Sequence, residues 1–133
     1  MARPPHFLQP LVKGAPDGWR IEIAGRGVTR ADTLEPAFDS ATRNKGLLGR
    51  DGLPPGAALV IAPTNAIHTF GMRFPIDAVF AARDGRVLKI RPRLPRGRIA
   101  LAWGGFAVIE MAAGEAERAG LERGDVLELR RDG

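Results

Sequence analysis

The chain has no cysteine and no tyrosine, a single serine and only two histidines in 133 residues. Disulfides, thiolate zinc sites and cysteine nucleophiles are therefore excluded, and the fold must stand on its core alone. The one serine, Ser40, lacks the G-x-S-x-G elbow that exposes a serine nucleophile at a strand-to-helix turn. Covalent catalysis would fall to five threonines or three lysines, none with an evident base beside it. Neither G-x-x-x-x-G-K-[ST] nor G-x-G-x-x-G occurs, so the backbone cradle for a nucleotide is missing and no cofactor is expected. With His6 and His68 the only imidazoles, no H-x-x-x-H or H-x-x-E-H pair exists, and no metal is expected. A mixed site of one histidine with carboxylates such as Asp77 and Glu110 would leave no spacing to read. Long apolar runs are also missing. "MARPPHFLQPLV" carries one arginine and breaks at "KGAPDG", which fits neither a signal peptide nor a membrane span, so a cytoplasmic location without membrane is expected.

What is present suffices for one domain: 44% of the residues are apolar, enough at this length to bury a core. Residues 1–18 hold Pro4, Pro5, Pro10 and Pro16 and read as an extended arm before a single domain at 19–133. "WRIEIAG" alternates apolar and charged residues and reads as a half-buried strand ending in a turn. The spacing around Phe38, Leu47 and Leu48 predicts a short helix near 39–49, capped by Asp39 or Ser40. "AALVIAP" reads as a buried strand and "NAIHTFGMRF" as a further strand.

In "IDAVFAARDGRVLKIRPR" two strand-like segments flank Asp84-Gly85, a pair suited to a hairpin turn; 76–91 is read as a hairpin. "RIALAW" and "FAVIEM" around Gly104-Gly105 read as another hairpin or a longer loop. "AGEAERAG" predicts a helix at 113–119 closed by Gly120, and "LERGDVLELR" a last strand. Many short strands with two brief helices predict a mainly β fold, a compact antiparallel β-barrel or sandwich.

Charge is unevenly placed. From Arg83 to Arg98 there are seven basic residues and one acid, a net of +6, whereas the whole chain carries +5, so the remainder sums to −1. Such concentration suits a patch that meets a polyanion, with Arg91, Arg93, Arg96 and Arg98 as the binding candidates for an anionic ligand or nucleic acid. No aromatic residue lies in the stretch to stack on bases, and a charged edge that discourages strand pairing is the competing explanation.

The segment "HTFGMRFPID", 68–77, sets three polar residues among apolar ones. If 66–74 is one strand, His68, Phe70, Met72 and Phe74 share a face and Thr69, Gly71 and Arg73 the other, which puts His68 with the core. Arg73 and Asp77 would be ~13 Å apart on a straight strand, but Pro75 permits a bend that brings them together. Asp77, next to Ile76 and Ala78-Val79-Phe80, is expected to be buried and held by backbone N–H groups or an arginine. The three are read either as a structural corner or as the candidate catalytic residues His68, Arg73 and Asp77 of a non-covalent acid/base enzyme, with Asp77 and His68 as the proton-transferring pair.

Taken in order, "ADT", "GLLGRDGLPPGAALVIAP", "IHTFGMRFPIDAVF", "DGRVLKI" and "VIEMAAGEAERAGLERGDVLEL" make the chain, over about residues 31–129, similar to the bacterial and archaeal domain of unknown function 192 family. The resemblance implies a compact, mainly β domain and no agreed activity, cofactor or substrate. The function expected is accordingly unassigned: a small ligand-binding or interaction module of unknown partner.

Overall fold

The computed structural model describes residues 5–14, 18–25 and 29–131. In chain order these form α1 (Gln9–Lys13), β1 (Trp19–Ile23), β2 (Thr29–Ala31), β3 (Thr33–Ala37), α2 (Ser40–Lys45), β4 (Ala57–Ile61), β5 (Ala66–His68), β6 (Ile76–Ala81), β7 (Val87–Leu94), β8 (Ile99–Leu101), β9 (Ala107–Ala112), α3 (Glu115–Arg118) and β10 (Leu127–Arg131). The central sheet has five strands in the order β3-β4-β9-β6-β7. Its inner strands read AALVI, AVIEMA and IDAVFA and are buried almost throughout. Such continuous apolar runs are required where both faces of a sheet are covered.

Successive residues leave opposite faces. Ala58, Val60, Val79, Ile109 and Met111 meet Ile21, Ile23 and Leu127 of a three-stranded sheet, ordered β10-β1-β2. Leu59, Ile61, Ala78, Phe80 and Val108 leave the other face and pack on Leu47, Met72, Ala100 and Ala102, under the two-stranded ribbon β5-β8. The result is mainly β and sandwich-like, with sheets that do not close into a barrel.

Most expected elements are in place. Residues 76–91 do form an antiparallel hairpin, β6 with β7. Gly85 turns it at φ 92, and a Cβ there would run into the Leu127 carbonyl oxygen, so the turn is closed against β10 and admits only glycine. Asp39 caps α2, its carboxylate accepting from the Thr42 N–H at 2.8 Å.

Several expectations are corrected. There are three short helices among the described residues, not two. The proline-rich arm is helical over Gln9–Lys13, with Pro10 in the first turn, where its missing N–H is harmless. Leu8 and Leu11 anchor that helix in the core, and the Phe7 N–H bonds the Arg83 carbonyl at 2.8 Å. His6 lies against Phe106, ring centroids 4.6 Å apart, and burial, then the nearby Arg83, lowers its pKa. Residues 1–4 and 15–17 of the arm lie outside the described residues.

The sheet is not wholly antiparallel, because β3 and β4 pair in parallel across the α2 crossover. "RIALAW" and "FAVIEM" are not a hairpin: β8 pairs with β5 while β9 inserts between β4 and β6. Long-range pairing of β9 with two buried strands outweighs the local turn.

Candidate functional site

The segment 68–77 is not one strand. β5 ends at His68, and the Thr69 hydroxyl, fully buried, donates to the Pro95 carbonyl at 2.7 Å and accepts from the Arg98 N–H at 2.9 Å. The chain then turns through Gly71 at φ 81. This break reverses the expected facing: Thr69 is inside, whereas His68 is exposed and stacks on Phe70 at 5.6 Å. Arg73 is not bent toward Asp77 but pairs at the surface with Asp51 at 2.7 Å, a contact that solvent screens.

Asp77 is fully buried. One carboxylate oxygen accepts from the Arg93 N–H at 2.8 Å, and the other from the N–H groups of Gly114 at 3.0 Å and Ala116 at 2.8 Å. A side chain on β6 thereby satisfies donors at the start of α3 that have no partner within the helix. The arginine involved contributes its backbone, not its guanidinium. Asp77 shares its face of the sheet with Met111, and His68 lines a cavity on the other face. The structure therefore assembles no Asp77–His68 pair, and both oxygens of Asp77 are taken up by backbone donors.

That cavity is the candidate site. It holds about 170 Å³ and runs from the end of α2 to β5, with Glu110 among its lining residues. Glu110 stands opposite Leu59 on β4 and Ala78 on β6, in the middle of the apolar sheet, and is 3% exposed. Among the described residues nothing hydrogen-bonds its carboxyl. Burial raises its pKa to about 7, outweighing the opposite pull of Arg50, because a carboxylate loses its hydration there. Arg50 itself is held in a two-point bond by Glu35, at 2.8 and 2.6 Å.

The walls are mixed: Leu47, Leu48, Ile61, Ile67 and Met72 supply the apolar part, Arg43 and Thr64 line it with Glu110, and Asn44, Lys45 and His68 are exposed and mark the mouth. Glu110 was named in the sequence only as one conceivable metal ligand. Its signal was a lone acid inside "AVIEM", the same kind of signal that drew attention to Asp77.

The four arginines of the basic segment do not face one way. Arg91 is half-buried on β7. Arg93, at φ 46, pairs with Glu117 of α3 at 2.9 Å. Arg96 and Arg98 are exposed in the loop leading to β8, where the Arg98 guanidinium donates to the Arg96 carbonyl at 3.4 Å.

The family model described as "Uncharacterized ACR", DUF192, matches residues 21–129. The fold resembles that of a protein of unknown function from Novosphingobium aromaticivorans, 26% identical with a TM-score of 0.73 over 82% of this chain and 83% of that one. It also resembles a protein from Sinorhizobium meliloti described as a "putative transcription regulator", 26% identical with a TM-score of 0.72 over 83% of this chain and 90% of that one. Comparison with curated proteins finds no match.

Proposed function

We propose, for a chain that belongs to the DUF192 family and so inherits no assigned activity, that the protein binds a small polar molecule in the Glu110 cavity. The observation that carries this reading is a carboxyl, 3% exposed and without a hydrogen bond from the described residues, that faces a cavity lined by both apolar and polar side chains. A carboxyl that faces a cavity and takes no hydrogen bond from the described residues leaves its hydrogen-bonding capacity to whatever occupies that cavity. A few convergent polar groups in an apolar cleft are what orient small ligands. The volume is close to that of ~150 Å³ cavities that accept benzene, which suits a ligand of that size with one hydrogen-bonding group. Below neutral pH the Glu110 carboxyl can donate to a carbonyl; above it, the carboxylate accepts from an amine or hydroxyl.

The test is NMR titration of the ¹⁵N-labelled chain with small amides, alcohols and amines. Shifts are expected at Gly46, Leu47, Ile67 and His68 in the wild type and not in Glu110→Ala. Shifts scattered over the surface, or retained in Glu110→Ala, would remove the reading.

A second reading is favoured by the position of the Glu110 pKa near 7, the range in which a general acid or base works best at neutral pH. In it the chain is a non-covalent acid/base enzyme whose proton carrier is Glu110, not Asp77, with His68 lining the same cavity. Polyanion binding, the third, rests on Arg96 and Arg98.

A further inference from the structure

The ribbon β5-β8 carries a contiguous apolar surface that the fold leaves uncovered. Its register pairs Ala66 with Leu101 and His68 with Ile99, and Ala102 and Thr69 extend it by bonding Asn65 and Arg98. Alternation then sends Ile67, Ala100, Ala102 and Thr69 inward and Ile99, Leu101 and Trp103 outward with Ala66 and His68. Phe70, stacked on His68, lengthens the stripe. Exposure reaches 86% at Trp103, 63% at Ile99 and 51% at Phe70. Ribbon-forming residues gain nothing for the fold by being this apolar on the solvent side, and a contiguous exposed apolar patch marks an interaction site.

Cations fringe the stripe. The Lys89 ammonium bonds the Leu101 carbonyl at 2.9 Å, Arg123 lines the shallow groove beside Trp103 and Leu101, and Arg96 and Arg98 stand on the loop that enters β8. None of the residues lining that groove is acidic. A partner must therefore be apolar and anionic at once. A second copy meeting this face across a two-fold axis would set like charges against each other. A single-stranded nucleic acid needs successive rings to stack on, whereas Ile99 and Leu101 interrupt the aromatic residues here.

We infer that the outer face of the β5-β8 ribbon docks on an anionic lipid surface. Trp103, Ile99 and Phe70 sit in the headgroup boundary, where tryptophan is favoured, and Lys89, Arg96, Arg98 and Arg123 lie at the level of the lipid phosphates. Two weak signals, shallow apolar insertion and a basic fringe, are together what reversible attachment requires. The attachment is peripheral: no helix among the described residues is long and apolar enough to cross a membrane. The inference does not rest on the Glu110 carboxyl, although Ala66 and His68 of the ribbon also line that cavity.

The test is co-sedimentation of the full chain with vesicles of phosphatidylcholine alone and with about one third phosphatidylserine, at low and high salt. Binding is expected only to the anionic vesicles, weakening as salt rises. Each cation brought near such a surface adds about fivefold, so Arg96→Gln with Arg98→Gln should weaken binding by about twenty-five-fold. Removing the inserted side chains by Trp103→Ala and Ile99→Ser should weaken it tenfold or more, with an unchanged melting temperature because both are exposed. Three results would overturn the inference. These are no binding to anionic vesicles, binding indifferent to Trp103→Ala and Ile99→Ser, or a single-stranded oligonucleotide retained in preference to vesicles.

Discussion

Asp77 and Glu110 lie one residue out of register on the adjacent strands β6 and β9, Asp77 opposite Met111 and Glu110 opposite Ala78, so the two buried carboxyls leave opposite faces of one sheet. Their circumstances diverge from that point. On one face Asp77 is closed off by three backbone N–H donors. On the other, no described residue donates a hydrogen bond to Glu110, which opens on a cavity. Chemistry is available only to a group that protein partners have not already used, which makes Asp77 structural and Glu110 the functional candidate.

Asp77→Ala is expected to destabilise the fold by about 3 kcal/mol or more, since it strands donors at Arg93, Gly114 and Ala116, and each buried unsatisfied group costs ~1–3 kcal/mol. Asp77→Asn should fall between the two, keeping one oxygen but turning an N–H toward a donor. Urea unfolding of the three proteins measures this. A wild-type midpoint for Asp77→Ala would end the assignment of Asp77 as a structural corner.

The hairpin at 76–91 and the capped α2 were legible because their signals are local: Asp84-Gly85 and Asp39 act within a few residues of themselves. The burial of Asp77 was legible from its neighbours. The facing of His68 was not, because the phase of a strand is readable only while the strand lasts, and this one stops at a buried threonine whose partners, Pro95 and Arg98, lie far along the chain. The same limit hid Glu110. Whether an acid in "AVIEM" faces a cavity or a partner depends on β9 inserting between β4 and β6, a pairing that no local pattern encodes.

His68 and Thr69 offer a paired test of that reversal. His68→Gln should leave stability within about 0.5 kcal/mol of the wild type, as exposed substitutions do. Thr69→Val keeps the volume but leaves the Arg98 N–H without the hydroxyl that accepts from it, and should cost about 2 kcal/mol. Thermal melts that rank the two the other way would restore His68 to the core.

Retention on heparin tests the basic segment. Arg96→Glu and Arg98→Glu should elute at clearly lower salt, because both guanidinium groups are exposed and binding of this kind draws its free energy from counterion release. Arg93→Glu should do less to retention, its guanidinium being engaged by Glu117, and should lower stability slightly by setting two acids together. Equal losses from Arg93→Glu and Arg98→Glu would mean that the segment presents one surface after all.

Glu110 makes stability depend on pH in a defined direction. Its pKa is raised from 4.5 to about 7 in the folded chain, so between those values the unfolded chain releases a proton that the folded chain keeps. The contribution of Glu110 to stability is therefore fully present below about pH 4.5, declines as pH rises, and levels off above about pH 7. The total loss is about 3 kcal/mol, at 1.36 kcal/mol for each pH unit of pKa difference. Glu110→Gln retains the shape and cannot ionise. Relative to the wild type it should be similar at pH 4.5 and more stable above pH 7, with a flatter profile in between. Unfolding free energies across pH 4–8 for the two proteins measure the difference. Parallel profiles would mean that the carboxyl is satisfied and solvated in the folded chain, and the cavity would lose the group that makes it a site.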